Sequence, residues 1–589
     1  MDETWTGAPR QDGPGGLWAS DAIADLLRAL GLPYVCLNPG ASFRGLHDSL
    51  VNHLGNRDPR MLLCLHEEHA VAIAHGWAKV TGRPLGVIVH ANVGLMHATM
   101  AIFDAWCDRV PVIVLGATGP VDAARRRPWI DWIHTARDQG ALVRHYVKWD
   151  DQPASVAAAQ EALLRAAQIA STAPRGPVYV CLDAALQETR LDAAPRLPDV
   201  GRFRPPAPPP PAPELVRQAA EWLAAARSPA ILMGRVSRDE AAWRERVALA
   251  ESLSAAVLTD LKVGAAFPTD HPLHAAAPAT FLSPGAAATL RAADVVLSLD
   301  WVDLAGTLRQ AWGAEEIGAR VIQVSLDQLV HNGWSMDHQG LPPADLYLLS
   351  QPEAAVSRLR EAVGPRRPRP RPAAVSAGPA AAAADGRITL GDLARTLQQV
   401  VAGDPVSLLR LPLGWAGELW HFRHPLDYLG SDGGAGVGSG PGMAVGAALA
   451  LQGGGRLPVA ILGDGDYLMG LTALWTAAHA RVPLLVVVAN NNSYFNDELH
   501  QERVARVRGR PVENRWIGQR IADPDLDLAL LARGQGLAGI GPVEKPEALA
   551  AALAEAVALV KRGQACVVDV RVAPGYGPAS AFTGAGRPG

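Results

Sequence analysis

The stretch Val459 to Tyr494 reads VAILGDGDYLMGLTALWTAAHARVPLLVVVANNNSY. Its apolar run Val459 to Leu462 has the pattern of a buried parallel strand and stops at Gly463-Asp464-Gly465. A helix fits from about Leu468 to Ala480, and a second buried strand, Leu484 to Ala489, stops at Asn490-Asn491-Asn492. Open α/β sheets take their ligands at the carboxyl ends of such strands, so the two polar clusters are expected to meet at one site. Gly463 and Gly465 let the backbone approach a bulky anion, and the start of the following helix favours negative charge there. Asp464, the Asn491 amide oxygen and the Ser493 carbonyl are hard oxygen donors of the kind that suit Mg²⁺ sharing its shell with diphosphate oxygens and water. A tight turn and an Asn-rich loop would account for the same letters. The arrival of the second cluster about 26 residues after the first, with a helix between, favours the metal and diphosphate reading.

Outward from this stretch, the 589 residues exceed one core, and three domains are expected. The boundaries read as a leader over 1–16, a first domain over 17–190, a Pro-rich linker over 191–213, a middle domain over 214–363, a Pro/Ala-rich linker over 364–386, a third domain over 387–575 and a tail over 576–589. Strand and helix alternate in all three, which implies doubly wound parallel sheets of the α/β class. In the first domain the expected helices include His69 to Thr81 and His97 to Asp108, and the expected strands include Tyr34 to Leu37 and Met61 to Leu65. A formal charge of −4 offers no basic surface, so no nucleic-acid partner is expected. Apolar runs are too short to span a bilayer, and the five cysteines (Cys36, Cys64, Cys107, Cys181, Cys566) form no CxxC pair, which fits buried thiols in a cytoplasmic protein.

The GDG and NN clusters resemble the cofactor signature of the thiamine diphosphate (ThDP) enzymes, and nearly the whole chain is similar in order to their decarboxylase and acetohydroxyacid synthase group. The resemblance implies a pyrimidine-binding domain, a middle domain and a diphosphate-binding domain, with Asp464, Asn491 and Ser493 as Mg²⁺ ligands and Gly463, Gly465 and Tyr494 beside the cofactor. It further implies that the Gly-rich run Gly433 to Gly442 passes under ThDP, with Gly436, Val437 and Gly438 in contact and Val437 holding the cofactor bent.

Such an enzyme needs a carboxyl group against the aminopyrimidine ring, and an acid in an apolar pocket has the raised pKa this work calls for. The candidate is Glu67 in LCLHEEHAVAIAHGWAKVTG. It resembles the family's catalytic Glu nine residues before a GYA-like tripeptide, here Gly76-Trp77-Ala78, which selects Glu67 over Glu68. A zinc reading of HEEH fails, because HExxH would place His where Ala70 stands. His90 ends the next strand and matches the His of benzoylformate decarboxylases, where it would orient a substrate carboxylate or move a proton. Asn38-Pro39-Gly40 resembles the same enzymes' NPG, although Ala41 follows it and Ser42 comes one residue later. The segments Val147-Lys148-Trp149, Gln152-Pro153-Ala154-Ser155 and IASTAPRGPVYV from Ile169 extend that likeness.

Those enzymes take a second active-site His from the middle domain, and VVLSLDWVDLAGTLRQ from Val295 has none; His500 is the candidate substitute. FAD is not expected, since Ile231-Leu232-Met233-Gly234-Arg235 matches a nucleotide-binding turn poorly. The resemblance therefore implies a ThDP- and Mg²⁺-dependent enzyme for a small 2-oxo acid or carbonyl substrate, working by decarboxylation, carboligation or both through a C2 ylid and enamine. The alternatives are an acetolactate synthase-type carboligase and a catalytically silent ThDP-fold binding protein. Glu67 and Asp464 would meet across the interface of a homo-oligomer, a dimer or tetramer.

Overall fold

The computed structural model describes residues 16–330, 340–364 and 386–575. The leader over 1–16 except its last residue, most of the linker over 364–386 and the tail over 576–589 lie outside the described residues. Three parallel sheets carry the chain, each covered by helices, in keeping with the α/β class.

In the first sheet the strands lie in the order Arg60–Leu63, Tyr34–Leu37, Gly86–Ile88, Ile113–Thr118, Val178–Asp183 and Asp150–Asp151. In the middle sheet the order is Ala256–Thr259, Pro229–Met233, Val295–Leu299, Arg320–Ser325 and Leu346–Leu349. The third sheet runs Val406–Arg410, Leu457–Gly463, Leu484–Asn490, Ala565–Arg571 and Ala538–Val543. The central strands are apolar on both faces because helices cover both, and Leu484–Asn490 is buried at every residue. A short antiparallel pair, Leu17–Trp18 with Arg190–Leu191, ties the two ends of the first domain together. All five cysteines are buried, and none is in a disulfide.

Three helices differ from expectation. The one predicted over Leu468 to Ala480 is two, Asp464–Gly470 and Ala473–His479. The first begins directly at the strand end, so Asp464 is its first residue. The break follows Gly470, where a Cβ would overlap the Gly438 carbonyl and touch Pro441. The helix predicted from His69 begins at Glu67, and the one predicted from His97 begins at Ala91. Those earlier starts set Glu67 in a first turn and move His97 inside a helix.

The first and third domains join through the helices Glu67–Thr81 and Gly440–Leu451. At Gly76 a Cβ would overlap the Met443 carbonyl, and at Gly446 it would overlap that of Ile73. The backbones therefore touch, and Gly76, read from the sequence as a motif letter, is required by this crossing. Buried charges fix the rest. Asp108 takes Lys79 and the His75 ring, at 2.8 Å, while Lys79 also donates to the Ser431 carbonyl. Arg109 reaches Asp327 at 2.9 Å, and Arg235 pairs with both Asp300 and Asp327, which closes the Gly234-Arg235 turn against the first domain. Among the described residues no helix is long and apolar enough to cross a membrane.

Candidate functional site

The strands Leu457–Gly463 and Leu484–Asn490 are neighbours, and their register pairs Gly463 with Ala489. Both therefore end at the same level, which is what brings the two polar clusters together. The Ser493 N–H donates to Asp464 Oδ2 at 3.0 Å and to Asn491 Oδ1 at 3.0 Å, so the two side-chain oxygens converge on one point. Asp464 also accepts from the Gly465 N–H at 2.9 Å. It is 4% exposed, and among the described residues no Lys or Arg forms an ion pair with it. Burial pushes its carboxyl up to about 6 against the pull of those backbone bonds. A desolvated carboxylate joined by an amide oxygen and without a cation of its own has the donor chemistry of a hard divalent metal site.

The three asparagines divide the work. Asn490 donates to Asp569 at 2.9 Å and accepts from the Asn492 N–H, so it fixes the loop from below. Asn492 takes a left-handed φ of 57°, which Asn tolerates, and this turns the chain so that Ser493 faces Asp464. Ser493 Oγ donates to the buried Glu498 at 2.6 Å, and Arg515 and Arg520 approach Glu498 at 3.4 and 3.5 Å. The insert over 496–516 thus braces the loop through its first helix, Phe495–Val507. The Tyr494 ring lies where a Cβ at Gly465 would stand, which explains that glycine. Gly463 has open space beside it.

The cleft above Asp464 is lined by Leu411, Leu413, Val437, Asn491 and Tyr494 among others. The segment Leu411 to Trp415, expected at this border, contributes Leu411 to Gly414. Val437 is 38% exposed and faces the opening. The second aspartate of GDGD, which sequence reading did not single out, organises the glycine run: Asp466 Oδ1 accepts from Gly438 N–H at 2.7 Å and Gly440 N–H at 3.2 Å. Gly438 has a φ of +106°, a conformation that strains any other residue. Gly436 packs on Met100 and Asp104 of the first domain. His500 stands on the helix Phe495–Val507 and does not line this cleft.

Asp104 presses against the glycine run with both oxygens buried and lacking a hydrogen-bond partner. Burial first, then Asp432, pushes its carboxyl up to about 9, against the pull of Arg410. A carboxyl raised in the folded state makes stability fall as pH rises from the unfolded value of 3.8 toward 9, because the unfolded chain loses its proton first. Asp104→Asn is therefore expected to raise unfolding stability at pH 8 by on the order of 1 kcal/mol or more, and to flatten its decline between pH 6 and 9. Denaturant unfolding at three pH values checks this.

The other half lies at the strand ends of the first sheet. Glu67 is 5% exposed and opens the helix Glu67–Thr81. Its Oε2 sits 3.0 Å from His97 Nδ1, and Gly94 lies so close that a Cβ there would approach Oε1 to 2.9 Å. Asn38 donates to the Cys64 carbonyl at 3.0 Å, which braces the turn leading to Glu67. Pro39 follows, and Gly40 packs so closely on His90 that a Cβ there would overlap its side chain. Ser42 accepts from the Ala91 N–H at 3.1 Å and meets His90 Nδ1 at 2.9 Å. A serine hydroxyl has one proton to give and two lone pairs, so this contact holds the His90 ring in place with either imidazole tautomer. Burial holds the His90 ring below its usual pKa; His134 adds to this and Glu67 opposes it.

Sequence reading missed Ser42 as a partner of His90, and missed His97 and His134 altogether. His134 meets His90 edge to face at 4.7 Å, and its buried Nδ1 has no hydrogen-bond partner. Its placement depends on the loop after Ile113–Thr118, where Asn92 donates to the Ile133 carbonyl at 3.2 Å. None of the residues lining the Asp464 cleft comes from the first domain.

Three parallel-sheet domains with polar clusters at the strand ends of the first and third define a protein of the α/β class with two candidate half-sites. Three family models match the chain in order: the thiamine pyrophosphate enzyme N-terminal TPP binding domain over 17–152, the central domain over 216–332 and the C-terminal TPP binding domain over 412–570. The chain belongs to the thiamine diphosphate-dependent enzymes of the decarboxylase and acetolactate synthase family. It is 27% identical over 554 residues to a benzoylformate decarboxylase of Pseudomonas aeruginosa, covering 91% of this chain and 96% of that one. It is 25% identical over 510 residues to an acetolactate synthase of Mycobacterium bovis, covering 81% and 76%. A solved ThDP-dependent 4-hydroxybenzoylformate decarboxylase of Rhodococcus jostii superposes with a TM-score of 0.76 at 22% identity, covering 95% of this chain and 100% of that one. A benzoylformate decarboxylase structure from Polynucleobacter necessarius gives 0.76 at 21% identity, covering 95% and 99%.

Proposed function

We propose that the protein is a Mg²⁺- and ThDP-dependent enzyme that removes CO₂ from a 2-oxo acid. The observation that carries this reading is the convergence of Asp464 and Asn491 on the Ser493 N–H, with the Asp464 carboxyl buried and, among the described residues, in no ion pair with Lys or Arg. Asp464, Asn491 and the Ser493 carbonyl would hold the metal, and the open backbone at Gly463 would admit the diphosphate. Val437 and the Gly436 to Gly438 turn would support the body of the cofactor. When bound, the cofactor supplies an electron sink for the bond between the carbonyl carbon and the carboxylate.

Glu67 would hold and move a proton at the aminopyrimidine ring. The His90 ring would orient the substrate carboxylate, and Ser42 holds that ring in place through Nδ1. Because the Asp464 cleft takes no lining from the first domain of its own chain, we read the working site as completed by Glu67 and His90 of a second copy. Release of CO₂ from a panel of 2-oxo acids by protein supplied with ThDP and Mg²⁺ tests the reading; a panel without turnover, aromatic and aliphatic acids included, would return the chain to the silent binding protein.

Carboligation is the second reading, supported by the acetolactate synthase relative. The ratio of acyloin to aldehyde from one 2-oxo acid with excess acceptor decides between them. The middle domain offers no second histidine along Val295–Leu299 and the turn after it, which favours ligation, whereas His134 beside His90 offers a proton donor and favours release of aldehyde. Ser42→Ala is expected to lower turnover about tenfold, the scale of losing a group that orients a working ligand, with ThDP binding unchanged. Steady-state CO₂ release beside a fluorescence titration with ThDP checks both halves of that statement.

A further inference from the structure

Ser493 stands between two buried carboxylates with different surroundings. On one side Asp464 accepts its N–H at 3.0 Å and, among the described residues, forms no ion pair with Lys or Arg. On the other side Glu498, whose side chain is 3% exposed, accepts the Ser493 hydroxyl at 2.6 Å and has Arg515 and Arg520 at 3.4 and 3.5 Å. The hydroxyl has one proton, and the Gln519 carbonyl at 3.4 Å is the more distant acceptor, so the bond goes to Glu498. The charge of Glu498 is matched within the fold, whereas that of Asp464 is left for a metal. The insert also reaches the loop from its far end. Tyr494 N–H donates to the Gln519 carbonyl at 3.0 Å and Ile521 N–H to the Asn492 carbonyl at 2.7 Å, so Ser493 and Arg520 face each other across a two-bond bridge. Arg515 lies over the Phe495 ring at 5.9 Å and also pairs with Glu502, which ties that far end to the helix Phe495–Val507. Every one of these contacts lies within the third domain of one chain.

We infer that Glu498 is a positioning residue for the metal, acting through the Ser493 hydroxyl, and that the work of the insert over 496–516 is to hold it there. This rests on Asp464, Asn491 and the Ser493 carbonyl being the metal ligands proposed above. A carbonyl ligand is aimed by the backbone on either side of it, and here the preceding residue, Asn492, sits at a left-handed φ of 57°. That turn is held from both sides. Asp464 and Asn491 take the Ser493 N–H, and Glu498 takes its side chain, so the residue cannot rotate. Loss of the hydroxyl bond frees one side and lets the carbonyl swing away from the point on which the Asp464 and Asn491 oxygens converge. Mg²⁺ demands near-ideal octahedral geometry, so a misaimed ligand costs affinity directly. Removing a group that orients a metal ligand typically costs about ten- to a hundredfold in affinity.

The test reads metal affinity rather than turnover. Cofactor-free protein is dialysed to equilibrium against ThDP at a series of Mg²⁺ concentrations, and bound ThDP is measured. Ser493→Ala keeps the carbonyl and loses the hydroxyl; Glu498→Ala keeps the hydroxyl and loses its acceptor. Each is expected to raise the Mg²⁺ concentration for half-maximal ThDP binding about tenfold. Glu498→Gln, which keeps an oxygen for the hydroxyl, is expected to recover part of the loss. The double variant Ser493→Ala/Glu498→Ala is expected to lose no more than either single one, because both remove the same bond. Losses that multiply in the double variant overturn the action through Ser493. Wild-type Mg²⁺ dependence in Glu498→Ala and Ser493→Ala, with Asp464→Ala unable to retain ThDP, overturns the inference and leaves the metal site standing. ThDP retained by Asp464→Ala at wild-type stoichiometry defeats the reading of the metal site instead, whatever Glu498 does. Melting of the cofactor-free variants confirms that each is folded. Where Glu498→Ala is not, Ser493→Ala and Glu498→Gln decide: wild-type Mg²⁺ dependence in both overturns the inference.

Discussion

Asp464→Ala is expected to yield a folded chain that no longer retains thiamine diphosphate. The carboxylate is buried, accepts two backbone N–H groups and has no basic partner among the described residues, so its charge is unbalanced until a cation arrives. Removing one member of a buried charge pair costs about 3 kcal/mol or more, which is at least a hundredfold in affinity. The effect on the cofactor-free protein is expected to be small. A carboxyl raised to about 6 in the folded state costs stability that sets in as pH rises from the unfolded value of 3.8 through 6, and at pH 7.5 that cost is fully present. Alanine removes it, at the expense of the acceptor of the Gly465 N–H, while the Ser493 N–H keeps Asn491 Oδ1. The melting temperature without cofactor should therefore stay near wild type, while the rise that ThDP and Mg²⁺ confer on the wild type should vanish. ThDP co-eluting with the variant on gel filtration at wild-type stoichiometry would refute the assignment.

Glu67→Gln is expected to bind ThDP yet lose turnover by a factor of about a hundred or more, the upper part of the range for an acid-base group. Glutamine preserves the volume beside Gly94 and the bond from His97, so the loss would report chemistry rather than packing. The placement of the two halves adds a sharper experiment. Glu67 belongs to the first domain, and the Asp464 cleft is lined from the third alone. If two copies complete one another, mixing inactive Glu67→Gln with inactive Asp464→Ala and allowing subunits to exchange restores partial activity, because one of the two hybrid sites regains both groups. No recovery from a demonstrated mixed oligomer would show that each site draws both residues from one chain.

Much of this architecture was legible in the letters. The runs Val459 to Leu462 and Leu484 to Ala489 announce buried parallel strands because a sheet covered on both faces needs continuous apolar residues. Polar clusters at both strand ends then locate the ligand side, since neighbouring parallel strands end on the same edge. Glu67 and His90 were likewise readable, each standing where a strand gives way to a helix. What pattern could not show were the contacts between segments far apart in the chain. The meeting of Ser42 with His90 requires two strand-to-helix turns to face each other, 48 residues apart in sequence. His134 enters through a loop without periodicity, and His97 looked like an ordinary helical residue until the earlier helix start at Ala91 aimed it at Glu67.

The residue pattern by itself therefore determined the class of each domain, the strand ends that carry the polar clusters of the first and third sheets, and the residue types at the proposed metal and acid-base positions, because strand burial and strand-end chemistry are local properties. Only the tertiary structure decided what Asn490 and Asn492 do on either side of Asn491, that Asp466 and not merely glycine shapes the run beneath Val437, and that Glu67 has a histidine on its carboxylate. Those outcomes depend on register between strands and on the crossing of the helices Glu67–Thr81 and Gly440–Leu451, where backbone touches backbone at Gly76 and Gly446. Register and crossing are settled by packing over the whole molecule, and no short window of sequence contains them.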